Sequence, residues 1–272
     1  MKMIDLPQRG FSMAYSAAGA GLPLLFVHGY PLNRRMWGPQ LQGLADIARI
    51  LAPDLRGHGE SQPVPGPYSV DLFAGDLAAF LDALDIHQKI VLCGLSMGGY
   101  IAFAFYRKYA ARLAGMILTA TRAAAETPQG RLARDQSAEL ARQQGVDAVV
   151  DGMLPKLLAP ATLQNRPELV EQARQIMAAT SLEGVLGDLV ALKERPDSTP
   201  TLAEIQVPTL LLPGAEDQII PLQEAETMHA SIQGSVLEVI PNAGHLLTLE
   251  NPSAFNAAVR RFLKHLKSTE LL

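Results

Sequence analysis

The chain has 272 residues, 48% hydrophobic and 18% charged, and a net charge of −4 from 23 basic and 27 acidic side chains. That balance excludes disordered and fibrous proteins and, with no basic run, the electrostatic footprint of a nucleic-acid binder. A lone Cys93 rules out an internal disulfide, residues 1–21 lack a charged-then-apolar leader, and no apolar run approaches the roughly 20 residues that span a bilayer, so a soluble, cytoplasmic protein without a membrane partner is expected.

Short apolar runs at 22–27, 47–52, 90–93, 113–118, 209–212 and 236–240 read as strands, and longer stretches of helical periodicity separate them. This alternation predicts an α/β fold with a mostly parallel central sheet flanked by helices. The first run leads into His28-Gly29-Tyr30-Pro31, a loop suited to presenting the Tyr30 N–H inward. His28 itself is expected to hydrogen-bond backbone rather than act as a base. After the second run, Asp54 to Ser61 carries glycines and charges that could mark a site, but a hydrogen-bonded structural turn is the favoured reading. A helix is then predicted from a Ser69 cap, with Phe73, Leu77, Phe80, Leu81 and Leu84 on one face and Asp76 and Asp82 toward water.

The third run enters Leu92-Cys93-Gly94-Leu95-Ser96-Met97-Gly98-Gly99-Tyr100. Gly-x-Ser-x-Gly between a strand and a helix makes a sharp turn that lifts a serine hydroxyl clear of the sheet, with glycines where side chains would clash. The helix that follows offers its unsatisfied N–H groups to a developing anion, the Met97 amide first. Alone the motif is weak, but the remaining catalytic residue types follow in the required order. Asp217 stands at the end of the run Leu210-Leu211-Leu212, where the carboxyl end of a strand would place a carboxylate beside a site, and Glu216 is the exposed competitor. His245 sits after the last run, on Pro241-Asn242-Ala243-Gly244, a turn-forming loop able to hold an imidazole over the sheet. His87, His229 and His265 suit surface roles. A metal site is not expected, because no histidine pair has helical zinc spacing and one cysteine cannot make a thiolate cluster.

Residues 122–200 break the alternation with Ala, Gln, Glu, Arg and Leu punctuated by Pro128, Pro155, Pro160, Pro167 and Pro196. They read as a helical cap inserted between two parts of one core, 1–121 and 201–272. Trp37, Met153 and Leu157, together with the Tyr30 side chain, are candidate pocket liners, although core packing explains each equally well. With many apolar residues in the cap and no cationic cluster in the sequence, a short or medium acyl ester or a lactone is expected over a polyanionic substrate, while Arg122 leaves a carboxylated one open. The final helix is predicted from an Asn251 cap and Pro252, with Phe255, Val259, Phe262 and Leu266 inward.

His28 to Pro31, Asp54 to Ser61, the Ser96 elbow, Gly214 to Asp217 and Gly244-His245 together resemble the landmarks of the α/β-hydrolase superfamily. Within it the chain is similar to small bacterial carboxylesterases and the 3-oxoadipate enol-lactonase group, through its length, its Gly-Leu-Ser-Met-Gly-Gly elbow and its four-helix-sized cap. Some relatives carry the acid after the strand that follows the nucleophile helix, but Leu118 to Arg122 offers no carboxylate, which favours Asp217. Serine at position 96 separates the chain from the dehalogenases and epoxide hydrolases that use aspartate. The resemblance implies cofactor-free hydrolysis of small esters with short or medium acyl chains, or of lactones, by Ser96, Asp217 and His245. Carbon–carbon bond hydrolysis and perhydrolysis use the same three residues and remain alternatives, as does a ligand receptor that has kept the fold. A homo-oligomeric assembly is left open.

Overall fold

In the computed structural model, which describes residues 1–268, eight strands form one sheet in the order β1-β2-β4-β3-β5-β6-β7-β8. They are β1 (Lys2–Leu6), β2 (Phe11–Ala18), β3 (Pro23–Val27), β4 (Arg49–Pro53), β5 (Ile90–Leu95), β6 (Leu113–Thr119), β7 (Thr209–Leu212) and β8 (Val236–Leu237). Strands β3 to β8 run parallel, while β1 and β2 pair antiparallel and cap one edge.

The central strands are apolar at almost every position because both faces of the sheet are covered. Alternation then sorts their side chains. Leu25 and Val27 of β3, Leu92 of β5 and Met116 and Leu118 of β6 join one core, whereas Leu24, Phe26, Val91, Cys93 and Ile117 join the core on the other face.

The helices, in chain order, are α1 (Gly38–Gly43), α2 (Val70–Ala83), α3 (Met97–Tyr109), α4 (Pro128–Gln144), α5 (Val146–Leu157), α6 (Pro160–Asn165), α7 (Pro167–Ala178), α8 (Leu182–Lys193), α9 (Thr199–Leu202), α10 (Leu222–Ser231), α11 (Leu247–Glu250) and α12 (Pro252–Ser268). Helix α2 starts where expected: Ser69 Oγ accepts from the Leu72 N–H at 3.0 Å, and Phe73, Leu77, Phe80 and Leu81 are fully buried. Each such side chain contributes about 1.5–3 kcal/mol by leaving water. Helix α12 mirrors it on the other face, with Asn251 Oδ1 accepting from the Ala254 N–H at 3.2 Å and Phe255, Val259, Phe262 and Leu266 buried. Among the described residues no single helix is long and apolar enough to cross a membrane.

Three expectations change. The hairpin of β1 and β2 was not anticipated, because Ser12, Ala14, Ser16, Ala17 and Ala18 lack the β-branched signature of strands and β1 is largely exposed. Asp76 does not face water: it is fully buried and accepts from Arg9 Nε at 2.6 Å and from Arg56 Nε and Nη2, each at 2.7 Å. Two guanidiniums from outside α2, on the segments after β1 and β4, compensate its buried charge. The last strand ends at Leu237, although the Ile240 N–H still reaches the Pro213 carbonyl at 2.9 Å and so keeps the following loop against β7.

Helices α4 to α9 lie between β6 and β7, with Pro128, Pro160 and Pro167 opening α4, α6 and α7 and Pro155 inside α5. Buried polar contacts tie this segment to the loops at the carboxyl ends of β3 and β4. Asn33 Nδ2 donates to the Ile176 carbonyl at 2.7 Å, Thr180 Oγ1 donates to the Pro31 carbonyl at 2.7 Å, and the Ser181 N–H donates to the Gly57 carbonyl at 2.9 Å.

Candidate active site

Ser96 joins β5 directly to α3 and holds φ 56°, ψ −112°, a conformation that costs an L-residue free energy and persists only where neighbours impose it. The neighbours are specific. The Ser96 N–H donates to the Thr119 carbonyl at 2.9 Å, and its carbonyl accepts from the Gly99 N–H at 2.8 Å and from Thr121 Oγ1 at 2.9 Å. A Cβ at Gly94 would lie 2.2 Å from the Gly98 carbonyl oxygen, and one at Gly98 would lie 2.3 Å from that of Val27, so only glycine lets strand, turn and helix approach this closely.

Asp217 and His245 come together at the carboxyl end of the sheet. His245 Nδ1 lies 2.8 Å from Asp217 Oδ2, and both side chains are almost fully buried. The other carboxylate oxygen, Oδ1, accepts from the N–H groups of Ile219 at 2.8 Å and Ile220 at 2.9 Å. The acid is thereby fixed from behind while it faces the imidazole. Glu216 is exposed.

Ser96 and His245 line one cavity with Tyr30, Tyr100, Arg122, Arg134, Met153, Leu157, Leu192, Ile219 and Ile220. Met97 is the first residue of α3, so its N–H has no carbonyl within the helix to donate to. Tyr30 follows β3 in a turn closed by the Leu32 N–H on the Gly29 carbonyl at 2.9 Å. Burial raises the Tyr30 phenol well above its ordinary range, so the side chain meets the cavity as a neutral hydroxyl.

A profile described as the alpha/beta hydrolase fold matches residues 23–252. The chain belongs to the α/β-hydrolase family. It is 32% identical to 3-oxoadipate enol-lactonase 2 of Acinetobacter baylyi over 241 residues, 89% of this chain and 88% of that protein. A thermophilic esterase from Thermogutta terrifontis, solved with malate bound, is 44% identical with a TM-score of 0.92 over 94% of each chain. The enol-lactonase from Burkholderia xenovorans LB400 has a TM-score of 0.87 at 27% identity, over 94% of this chain and 97% of that one. Esterase and lactonase relatives place hydrolase chemistry on this member of the family.

In this α/β hydrolase, Met153 and Leu157 reach the cavity from α5, but Trp37 does not line it. The indole is fully buried, stacked on Phe26 at 4.4 Å between ring centroids, and near Phe255 on the far face of the sheet. The alternation of β3 sends Phe26, and with it Trp37, to the opposite side, so the core-packing reading holds for this residue. His28 accepts from the Leu55 N–H through Nε2 at 3.0 Å, which leaves Nδ1 to donate to the Gly29 carbonyl at 3.0 Å. Burial holds it well below the usual histidine range, so it is a neutral structural group. Asp54 similarly closes the following turn, accepting from the N–H groups of Arg34 and Glu60 at 2.7 and 2.9 Å. His58 pairs with Asp188 of α8 at 2.8 Å, both fully buried, and burial's downward pull on the imidazole is outweighed by that carboxylate.

Two features escaped the sequence. Glu250 accepts from the Gly244 N–H through Oε2 and from the Ala159 N–H through Oε1, each at 2.7 Å. It thus holds the residue preceding His245 and the link between α5 and α6 with one side chain; its only sequence signal was an acidic residue in an otherwise apolar run. The second is a cluster of arginines. Arg195 Nη1 and Arg134 Nη2 reach Glu126 Oε2 at 2.9 and 3.0 Å, and Arg122 lies beside the same carboxylate. Burial opposes ionisation of Glu126, but Arg195 and Arg134 outweigh it and hold the carboxyl at about 2.

Proposed function

We propose that this α/β hydrolase cleaves small carboxylic esters, lactones included, through an acyl-serine intermediate on Ser96. The observation that carries the reading is the buried His245 Nδ1 to Asp217 Oδ2 contact of 2.8 Å in the loop wall of the cavity that Ser96 lines. With Asp217 accepting from Nδ1–H, the neutral imidazole presents a lone pair at Nε2. Nε2 takes the Ser96 proton as Oγ bonds to the carbonyl carbon, and the carbonyl oxygen, now an anion, accepts from the N–H groups of Met97 and Tyr30. Collapse breaks the ester C–O bond, and the departing oxygen receives the proton from Nε2. Water then adds to the acyl carbon with His245 again as base, releasing the acid and restoring Ser96. Asp217 stabilises the imidazolium without taking its proton.

The cavity holds about 40 Å³, whereas ligand sites usually offer about 300–1,000 Å³. Substrate entry therefore requires Met153, Leu157 and Leu192, contributed by α5 and α8, to move outward; in this reading α4 to α9 act as a cap. The test is labelling with a fluorophosphonate, peptide mapping of the adduct, and hydrolysis of p-nitrophenyl esters by wild type and Ser96→Ala. Label on Ser96 and loss of turnover in the variant are expected. An unlabelled Ser96 with equal turnover in both proteins would overturn the reading.

A further inference from the structure

We propose that Arg122 forms a carboxylate subsite in the active-site cavity, so that the preferred ester or lactone carries a free carboxylate group. This rests on the serine-hydrolase reading above and names its substrate class. Arg122 stands just beyond β6 and lines the cavity together with Ser96 and His245. It follows β6, the strand paired with the nucleophile strand β5, by three residues.

Its hydrogen-bonding capacity is not spent. The side chain is 21% exposed, its Nε is buried with no hydrogen-bond partner, and the nearest carboxylate oxygens, on Glu126 and Glu224, lie at 3.6 and 3.9 Å, beyond hydrogen-bond reach. Its guanidinium also meets the Tyr100 hydroxyl, itself at the cavity wall. Glu126 cannot serve it better. Arg195 and Arg134 occupy Oε2 from two sides, and Oε1 takes the Thr127 N–H at 3.3 Å and Arg195 Nη2 at 3.5 Å. Three guanidiniums therefore share one buried carboxylate, and Glu224 is partly exposed, so its charge is screened by water.

A buried Nε–H without a partner is unfavourable unless an acceptor arrives. The planar fork of arginine matches a carboxylate through two parallel bonds. Met153, Leu157, Leu192, Ile219 and Ile220 give the cavity an apolar lining that strengthens such a pair, and Arg134, which also lines it, is already engaged by Glu126. A monoanionic carboxylate on an otherwise apolar chain fits that combination.

The test compares kcat/KM for the mono-p-nitrophenyl ester of glutaric acid with that for the same compound methylated on its free carboxyl. Wild type should favour the acid by about tenfold or more, equivalent to about 1.4 kcal/mol. Arg122→Gln should bring the ratio near one, and Arg122→Lys, which keeps the charge without the fork, should fall between. The ratio is insensitive to partial misfolding, because both substrates report on the same population of sites. In parallel, calorimetric titration of monomethyl glutarate into Ser96→Ala and into Ser96→Ala/Arg122→Gln should show binding at least tenfold weaker in the second. A wild-type ratio near one, a ratio unchanged in Arg122→Gln, or equal binding to the two Ser96→Ala proteins overturns the subsite. Turnover of both esters that persists in Ser96→Ala would instead count against the serine mechanism, and the titration would still decide the subsite.

Discussion

Asp217→Asn separates the orientation of His245 from the folding of its loop. Asp217 Oδ1 accepts two backbone N–H groups, from Ile219 at 2.8 Å and Ile220 at 2.9 Å, and Oδ2 faces His245 Nδ1 at 2.8 Å. Asparagine can keep both amide bonds only with its carbonyl oxygen in place of Oδ1, which turns its NH2 group toward Nδ1. The reverse orientation would sacrifice two hydrogen bonds worth about 0.5–1.5 kcal/mol each and set two donors against the NH2. Two donors cannot face one another, so Nδ1 gives up its proton, Nε2 carries it, and the imidazole no longer accepts from Ser96. The same wrong-tautomer trap in a serine protease lowers kcat about 10⁴-fold, or about 5 kcal/mol of transition-state stabilisation. We expect a loss of that order with p-nitrophenyl butyrate, alongside a thermal midpoint within about 2 °C of wild type, since the loop keeps its hydrogen bonds. A folded Asp217→Asn protein retaining more than about a tenth of wild-type kcat would refute the argument, because no proton-accepting Nε2 is left in it.

Two further outcomes follow from buried carboxylates. Glu250→Gln leaves one acceptor for the two N–H groups of Gly244 and Ala159, so a buried donor goes unpaired at about 1–3 kcal/mol; a lower thermal midpoint and slower ester turnover are expected, and an unchanged melt would contradict the geometry. Glu126 is held at about 2 against an ordinary value of 4.5, so its contribution to stability is complete above 4.5 and disappears as pH falls toward 2. Urea midpoints measured across that window should fall less steeply for Glu126→Gln than for wild type, and parallel curves would show that the cluster is not linked to folding.

What the sequence determined by itself was local. Apolar runs marked the six parallel strands to within a few residues, because the inner ones are buried on both faces and carry apolar residues at nearly every position. The spacing of Gly94, Ser96 and Gly98 between a strand and a helix marked the strained elbow, and Ser69, Asn251 and Pro252 marked helix starts, because each signal acts over only a few residues. The tertiary structure decided whatever depends on partners distant in the chain. Asp76 reads as solvent-facing until Arg9 and Arg56 arrive, Trp37 reads as a pocket residue until the pleat of β3 carries Phe26 to the opposite face, and a sequence without any cationic run gathers Arg122, Arg134 and Arg195 around Glu126. Periodicity reports which face of an element is turned inward; which charges meet there is set by how the elements pack, and that information is not carried by any single stretch of the chain.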